Sequence, residues 1–429
     1  MATNGKIGLK EAVSIGIGGM VGGGIFAVLG LAVSLAQGGT PIAFLIAGTI
    51  ALVTSYSYVK LSLAYPDRGG TVKFINQGFG KTTFSGGINN LLWVSYIIML
   101  ALYASAFGSY APNLWEITGN VSLDTHIYSS LIVVFATVIN YYSIKVVGKI
   151  EDYAVIIKLI ILIGFVFVGL YGLKDSSNLQ QLAIANWEKP IKLLTGGMVI
   201  FVAYEGFELI ANSVPDMKDP KRNVPRAYLY AVLFVILLYI VIAVVTVGSL
   251  PFSKIAEAQD YVLAEAAKPM LGNIGFTIIT IAALISTFSA INATLYGGSR
   301  VSYEIAEDDE LPHELTSTFW NQPVGLFITA ILTLILTNAL QLESISTAGS
   351  IGFLLIFATV NYVGYKKAVE ISARKWIALV GFLLCVIASI ALIVQQYISN
   401  PMGISVALAI VVICFVMEFF YKKSERKSP

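Results

Sequence analysis

Apolar residues come in long runs along this chain. Twelve stretches, 11–35, 41–65, 84–112, 126–143, 150–172, 191–214, 226–250, 271–301, 324–341, 345–363, 376–395 and 401–421, carry few charges. Each is about 18 residues or longer, enough to cross ~30 Å of hydrocarbon as a helix. Lipid offers a backbone amide no partner, so a crossing segment must close its hydrogen bonds internally, and the runs predict α-helices. The short alternating strands of a spanning barrel are absent from the sequence. Turn and breaker residues separate the runs at Gly38-Gly39-Thr40-Pro41, Pro66-Asp67-Arg68-Gly69-Gly70, Pro215 to Pro225, Pro323 and Asn400-Pro401. The pattern predicts an all-α polytopic membrane protein with about twelve transmembrane helices.

Two runs make poor continuous helices. The first holds Gly16, Gly18, Gly19, Gly22, Gly23 and Gly24; the sixth holds Gly196, Gly197, Glu205, Gly206 and Glu208. Each Gly costs ~1 kcal/mol relative to Ala in a helix, and carboxylates at mid-bilayer are expensive. Both spans are therefore expected to unwind in mid-membrane. They lie five spans apart, and an odd offset gives the second half the opposite orientation, as an inverted repeat requires. Interrupted helices at matching positions of two such halves mark a transporter binding site near the midplane. The expected organisation is a first repeat over 1–175 (spans 1–5), a second over 191–363 (spans 6–10), two appended spans over 376–421 and a basic cytoplasmic tail over 422–429. That tail suits anionic lipid headgroups.

Charge placement sharpens this picture. Charged residues make up 12% of the chain and hydrophobic ones 57%, about half the charge of a soluble domain. With the N-terminus inside, the inner segments hold 21 of the 27 Lys and Arg; the outer ones hold Lys174, Lys189, Lys192, Lys254 and Lys268; Lys158 lies within a span. Basic residues are retained in the cytoplasm, so a multi-pass cell-membrane protein with both termini cytoplasmic is expected. The acidic stretch 304–314 does not oppose this, because the rule largely ignores acids; it reads as a solvated loop. The first run, long and Gly-rich, is expected to remain as a helix and not to be cleaved as a signal. Cys385 and Cys414 sit in late apolar runs and read as packing residues. His126 and His313 have no metal-ligand spacing around them, so neither metal nor cofactor is expected.

The broken segments carry a resemblance. Gly18-Gly19-Met20-Val21-Gly22-Gly23-Gly24-Ile25-Phe26 resembles the helix 1 motif of the amino acid–polyamine–organocation transporters, and Phe201-Val202-Ala203-Tyr204-Glu205-Gly206-Phe207-Glu208 is similar to that family's helix 6 motif. The following Asp219-Pro220-Lys221-Arg222-Asn223-Val224-Pro225-Arg226-Ala227 is the most specific match, and Gly298-Ser299-Arg300 through Leu311-Pro312 is a further one. The resemblance runs from residue 11 to about 420. It implies a LeuT-type fold, with 5+5 inverted repeats followed by helices 11 and 12, and an amino acid as substrate.

An amino acid in a dry site needs donors for its carboxylate and acceptors for its ammonium. Unwound helices supply both from backbone N–H and C=O groups. The amides of Gly22, Gly23 and Gly24 suit the carboxylate, since glycines allow close approach; the resemblance favours Gly23 and Gly24. By position in the family motifs, the carbonyls of Met20, Val202, Ala203 and Glu205 fall to the ammonium. Glu205 departs from the family, where many relatives carry an uncharged residue. It could repel acidic side chains, attract cationic ones or be protonated. Glu208 follows the family pattern and suits a cap on the free amides of the break. Phe26, Tyr204, Phe207 and Tyr296, near the breaks, are candidate gates as well as packing residues.

Lys158 is the sharpest single feature. It sits about 8 residues, ~12 Å, inside the fifth span, between Val155-Ile156-Ile157 and Leu159-Ile160-Ile161. Burying that charge costs ~2.5–3.5 kcal/mol on insertion scales, enough for the amine to give up and regain a proton during a cycle. The alternative is snorkelling of its long side chain to the inner interface. In sodium-coupled members of the wider fold an ion site joins helix 1 carbonyls to helix 8 hydroxyls beside helix 5. Ser286, Thr287 and Ser289 supply such hydroxyls here, with Gly19 on the first span. The expectation is that the Lys158 ammonium takes the sodium's place and the proton is the coupling ion.

Other classes fit less well. A channel would show pore loops or rings of charge, an intramembrane enzyme a catalytic cluster, and a primary pump a nucleotide-binding P-loop. Partners are expected to be an amino-acid substrate and the lipid bilayer, with no nucleic acid and no nucleotide. The expected function is secondary active amino-acid transport, by sodium-independent proton symport or, alternatively, by amino-acid or amine exchange without proton coupling.

Overall fold

A computed structural model describes residues 6–142, 144–307, 317–319 and 322–425. Every predicted run has a helical counterpart. The first span is split into α1 (Leu9–Met20) and α2 (Gly24–Ala36), bent by 48° at the break. Then come α3 (Thr40–Ala64), α4 (Thr71–Phe79), α5 (Thr83–Tyr110), α6 (Val121–Tyr142) and α7 (Ile144–Gly172). The sixth span is split into α8 (Pro190–Val199), a 3₁₀ turn over Phe201–Tyr204 and α9 (Leu209–Ser213), with a bend of 54°. The rest are α10 (Pro220–Ser249), α11 (Phe252–Glu257), α12 (Val262–Glu307), α13 (Val324–Ala339), α14 (Leu342–Lys366), α15 (Lys375–Ser399) and α16 (Pro401–Glu425).

Several boundaries differ from expectation for local reasons. α10 starts at Pro220, six residues early, because Asp219 turns the chain at φ 43° and proline fits the first helical turn. The Asp-Pro-Lys-Arg signature is thus helical, and Pro225 is accommodated inside the helix. The eighth span is preceded by helical residues 262–271, set off by Gly272 at φ 59°. α13, of 16 residues, is shorter than a typical crossing helix. α4 is an amphipathic helix between α3 and α5 that hydropathy alone did not mark. Among the described residues the one paired sheet is Thr318–Phe319 with Gln322–Pro323, a departure from all-α.

Burial sorts the helices into layers. α5 and α14 are 89% buried over their apolar windows, while α6, α15 and α16 stay near the surface at 28–33%. The outer helices show large apolar residues such as Leu131, Ile390 and Val412, a lipid-facing surface. Inside, polar side chains pair across helices. Ser57 of α3 donates to Asn361 Oδ1 of α14 at 2.6 Å, and Asn361 Nδ2 donates to Thr54 at 3.0 Å. Trp93 of α5 donates to Thr329 of α13 at 3.0 Å. Cys385 and Cys414 are free and buried. His126 shares a hydrogen bond with Asn338. His313, residues 308–314 of the acidic stretch and the tail beyond 425 lie outside the described residues.

Candidate substrate and ion site

Both breaks lie in the interior, against each other. α1 ends at Met20; Val21 leaves helical geometry, and Gly23 is the N-cap of α2. At the second break Gly206 adopts φ +116°, a conformation nearly closed to other residues. A Cβ on Gly19 would lie 2.8 Å from the Gly206 carbonyl oxygen, so the two chains touch backbone to backbone.

Lys158 lies on the buried stripe of α7. Ala154, Val155, Leu162 and Phe165 are buried with it, whereas Ile156, Ile157 and Ile160 face outward. Its side chain is fully buried and does not snorkel. The ammonium donates to the Gly18 carbonyl at 3.1 Å, one residue before the expected Gly19, whose backbone is occupied by packing on Gly206. Ser286 of α12 donates to the Gly22 carbonyl at 2.8 Å and lies 3.3 Å from that of Val21. Ser289 is fully buried, and Thr287 turns its hydroxyl back onto Ala283. One lysine and one serine thus tie α7 and α12 to the broken first span.

A cavity of about 200 Å³ lies beside this point. Gly18 and Gly19 of α1, Tyr96 and Tyr103 of α5, Glu205 and Gly206 of the second break, Asn212 just below and Ala290, Ala293, Thr294 and Gly297 of α12 line it. The small residues on α12 make the room. Of the predicted substrate-binding set, Glu205 alone is on this wall. The Gly22, Gly23 and Gly24 backbone is covered: a Cβ on Gly23 would fall 2.4 Å from the Tyr103 ring, one on Gly24 3.0 Å from Ala203 Cα, and one on Gly22 3.1 Å from Ala290.

Three of the four expected ammonium acceptors already hold a hydrogen bond. Tyr239 of α10 places its hydroxyl 2.7 Å from the Met20 carbonyl and 3.2 Å from that of Ala203. The Val202 carbonyl accepts from the Glu205 amide at 3.3 Å. Glu208 accepts from the Gly206 amide at 2.8 Å, the capping contact the sequence suggested. Ser346 and Ser350 of α14 both donate to the Val199 carbonyl, at 2.7 and 2.9 Å, and Ser350 accepts from the Val202 amide at 3.1 Å.

None of the four predicted gates lines the cavity. Phe26 stands edge-on to Tyr110, whose hydroxyl donates to its carbonyl at 3.3 Å. Tyr204 sends its hydroxyl to the Phe44 carbonyl at 2.8 Å. Phe207 joins Tyr58, Tyr228 and Phe357 in an aromatic cluster. Tyr296 lies under the Arg300 guanidinium, 4.4 Å from its ring centre. All four rings are thus packed on neighbouring side chains and lie off the cavity wall in this conformation. Tyr103, Tyr239, Ser346 and Ser350 escaped the sequence analysis. A tyrosine inside an apolar run, or two serines spaced i, i+4, signals a buried hydroxyl in need of a partner, but not which partner.

Comparison with known proteins agrees with this architecture. Residues 7–417 match the family model described as amino acid permease. The chain is 33% identical over 426 residues to an uncharacterized protein of Methanocaldococcus jannaschii, covering 99% of this chain and 97% of that protein. It is 32% identical to an inner membrane transport protein of Escherichia coli, over 91% of this chain and 90% of the relative. A branched-chain amino acid permease of Bacillus subtilis shares 22% identity over 84% of this chain and 81% of its own length. With its broken helices meeting at a buried cavity, the chain belongs to the amino acid permease family, whose members are multi-span membrane transporters and not enzymes.

Proposed function

We propose that this protein is a secondary active transporter that moves α-amino acids by alternating access, driven by protons without sodium, with Lys158 as the proton-carrying group. The observation that carries this reading is the buried Lys158 ammonium donating to Gly18 at the end of α1. Hydrogen bonds from a charged donor are roughly twice as strong as neutral ones. Protonated Lys158 therefore ties α1 firmly to α7. Loss of the proton weakens that tie and frees α1, whose Gly18 and Gly19 form one side of the cavity, to swing and open it. Ser286 holds the break itself from α12, where a sodium ion would otherwise join the two.

In this reading the protein sits in the cell membrane with both termini in the cytoplasm, and the halves 1–175 and 191–363 act as inverted repeats. The substrate carboxylate reaches the Gly22–Gly24 amides once the Tyr103 ring has moved aside. The name of the Bacillus subtilis relative supports an amino acid as cargo.

The test is uptake of radiolabelled amino acids into liposomes under an inward proton gradient with no sodium. Accumulation above equilibrium that a protonophore collapses is the expected result. Uptake only into vesicles preloaded with amino acid would instead establish exchange and reduce Lys158 to a fixed structural charge.

A further inference from the structure

The second break carries two buried acidic side chains. Glu208 gives Oε2 to the Gly206 amide, and its carboxyl is hydrogen-bonded to that of Glu205. Glu205, three residues earlier and 5% exposed, is the one charged residue on the cavity wall. A buried carboxylate costs several kcal/mol unless a cation lies against it. The lining includes no lysine, arginine or histidine.

Three backbone acceptors near the cavity, the carbonyls of Met20, Ala203 and Gly18, already hold a partner. Tyr239 has one hydroxyl proton, and it lies between the carbonyls of Met20 and Ala203, neither of which lines the cavity. The Gly18 carbonyl takes Lys158. Beside backbone carbonyls, the acidic side chain the cavity presents to a cation is that of Glu205. An ammonium has three N–H donors and no acceptor, the complement of a carboxylate.

Building on the transport reading above, we infer that the α-ammonium of the substrate is held by the Glu205 carboxylate, with the one proton of the hydrogen-bonded Glu205–Glu208 pair resting on Glu208. Glu205 is then a recognition group for every α-amino acid carried, and not a selector of cationic side chains. Contacts that involve charge are worth more than neutral ones in a dry site, so removal of the charge weakens all substrates alike.

The experiment compares binding and uptake of L-alanine, L-leucine and L-lysine by wild-type protein and by Glu205→Gln in liposomes, with size-exclusion profiles to confirm folding. Affinity for each probe that the wild type carries is expected to fall tenfold or more, with their ranking preserved. Glu205→Asp and Glu205→Asn, equal in size and differing in charge, repeat the comparison should Glu205→Gln not fold; the aspartate is expected to bind at least tenfold better than the asparagine. Unchanged affinities in the neutral variants would overturn the inference. So would a loss confined to L-lysine, which would place a side-chain cation at Glu205. Failure of the wild type to carry any amino acid would overturn the transport reading itself, a result distinct from either.

Discussion

Gly206 and Gly19 press together so closely that a Cβ on Gly206 would fall 2.4 Å from the Gly19 carbonyl carbon. This contact joins the two broken spans at one point and sets where Gly18, Gly19, Glu205 and Gly206 face a common cavity. Gly206→Ala combines a backbone clash with a φ of +116° that alanine resists. Strain of this kind costs ~1–3 kcal/mol, and overpacking costs about as much again. The variant is expected to lose many degrees of melting temperature in detergent together with substrate uptake. Gly19→Ala meets the same backbone without the dihedral strain and should be milder. Equal melting of both variants with wild type would show that the breaks do not depend on this contact.

Lys158→Ala removes the donor to Gly18. Under the proposed coupling, uptake by this variant no longer follows an imposed proton gradient, and accumulation falls at least tenfold. Lys158→Arg is the more telling change, because arginine keeps the charge and does not release it in a protein. It should also abolish proton-driven accumulation even where substrate binding survives. Gradient-driven, concentrative uptake by either variant would remove Lys158 from the coupling mechanism.

Ser286→Ala deletes the hydroxyl that holds the Gly22 carbonyl from α12. Interhelical hydrogen bonds in membranes average ~0.6 kcal/mol and reach ~1.7 kcal/mol, so a fall of threefold to tenfold in apparent affinity is expected. Thr287→Ala touches no carbonyl of the break, since that hydroxyl bonds within its own helix. Measured side by side, the serine variant should bind more weakly than the threonine variant; the reverse order would discount the ion-site geometry.

The helical runs, the two breaks and the buried Lys158 were legible because each follows from what lipid forbids: open backbone, clustered glycines in a helix, an unpaired charge. The count was less clear, since nine described helices are long and apolar enough to cross, or eleven with each bent pair as one span. The partners of the break were less so. Long-range contacts decided whether Met20 and Ala203 carbonyls would face a cavity or Tyr239, and nothing local to either residue records the position of α10. The surroundings of the candidate gates were hidden for the same reason. Phe26, Tyr204 and Phe207 are near the breaks in sequence, but their rings pack on neighbouring helices, Phe26 against Tyr110, Tyr204 against Tyr239 and Phe207 against Tyr58, Tyr228 and Phe357. Tyr103, distant in sequence, comes to cover Gly23 instead.

Outside the membrane-spanning segments, Glu370 in the α14–α15 connection accepts from Lys367 at 2.8 Å and from the Tyr65 hydroxyl. The Lys367 hydrogen bond, then that of Tyr65, holds the Glu370 carboxyl below its ordinary value, while burial and the Glu370 bond push the Tyr65 phenol up to about 12. A lowered carboxylate stabilises the fold above its unfolded value and loses that contribution as pH falls through the folded one. Melting temperature should therefore drop on acidification below the usual carboxylate range, and by less in Glu370→Gln than in wild type. Identical acid profiles for the two would mean that this exposed pair is screened to insignificance.

Tyr239 and the serine pair Ser346 and Ser350 grip the second break from different helices, α10 and α14. Tyr239→Phe leaves the ring packed against Phe44 and Tyr204 but withdraws the one proton shared by Met20 and Ala203. The expected cost is on the order of 1 kcal/mol, by the membrane average for such bonds. Ser350→Ala loses contacts to both the Val199 carbonyl and the Val202 amide, and should cost somewhat more. Val202 and Ala203 are adjacent, so the two anchors act on one rigid turn and are not independent. Combined, the substitutions should destabilise by an amount different from the sum of the single effects, a coupling of 0.5 kcal/mol or more. A double-mutant cycle on thermal unfolding measures it directly. Strict additivity would show that each anchor holds its own carbonyl and that the break moves in parts during transport, and not as a single hinge.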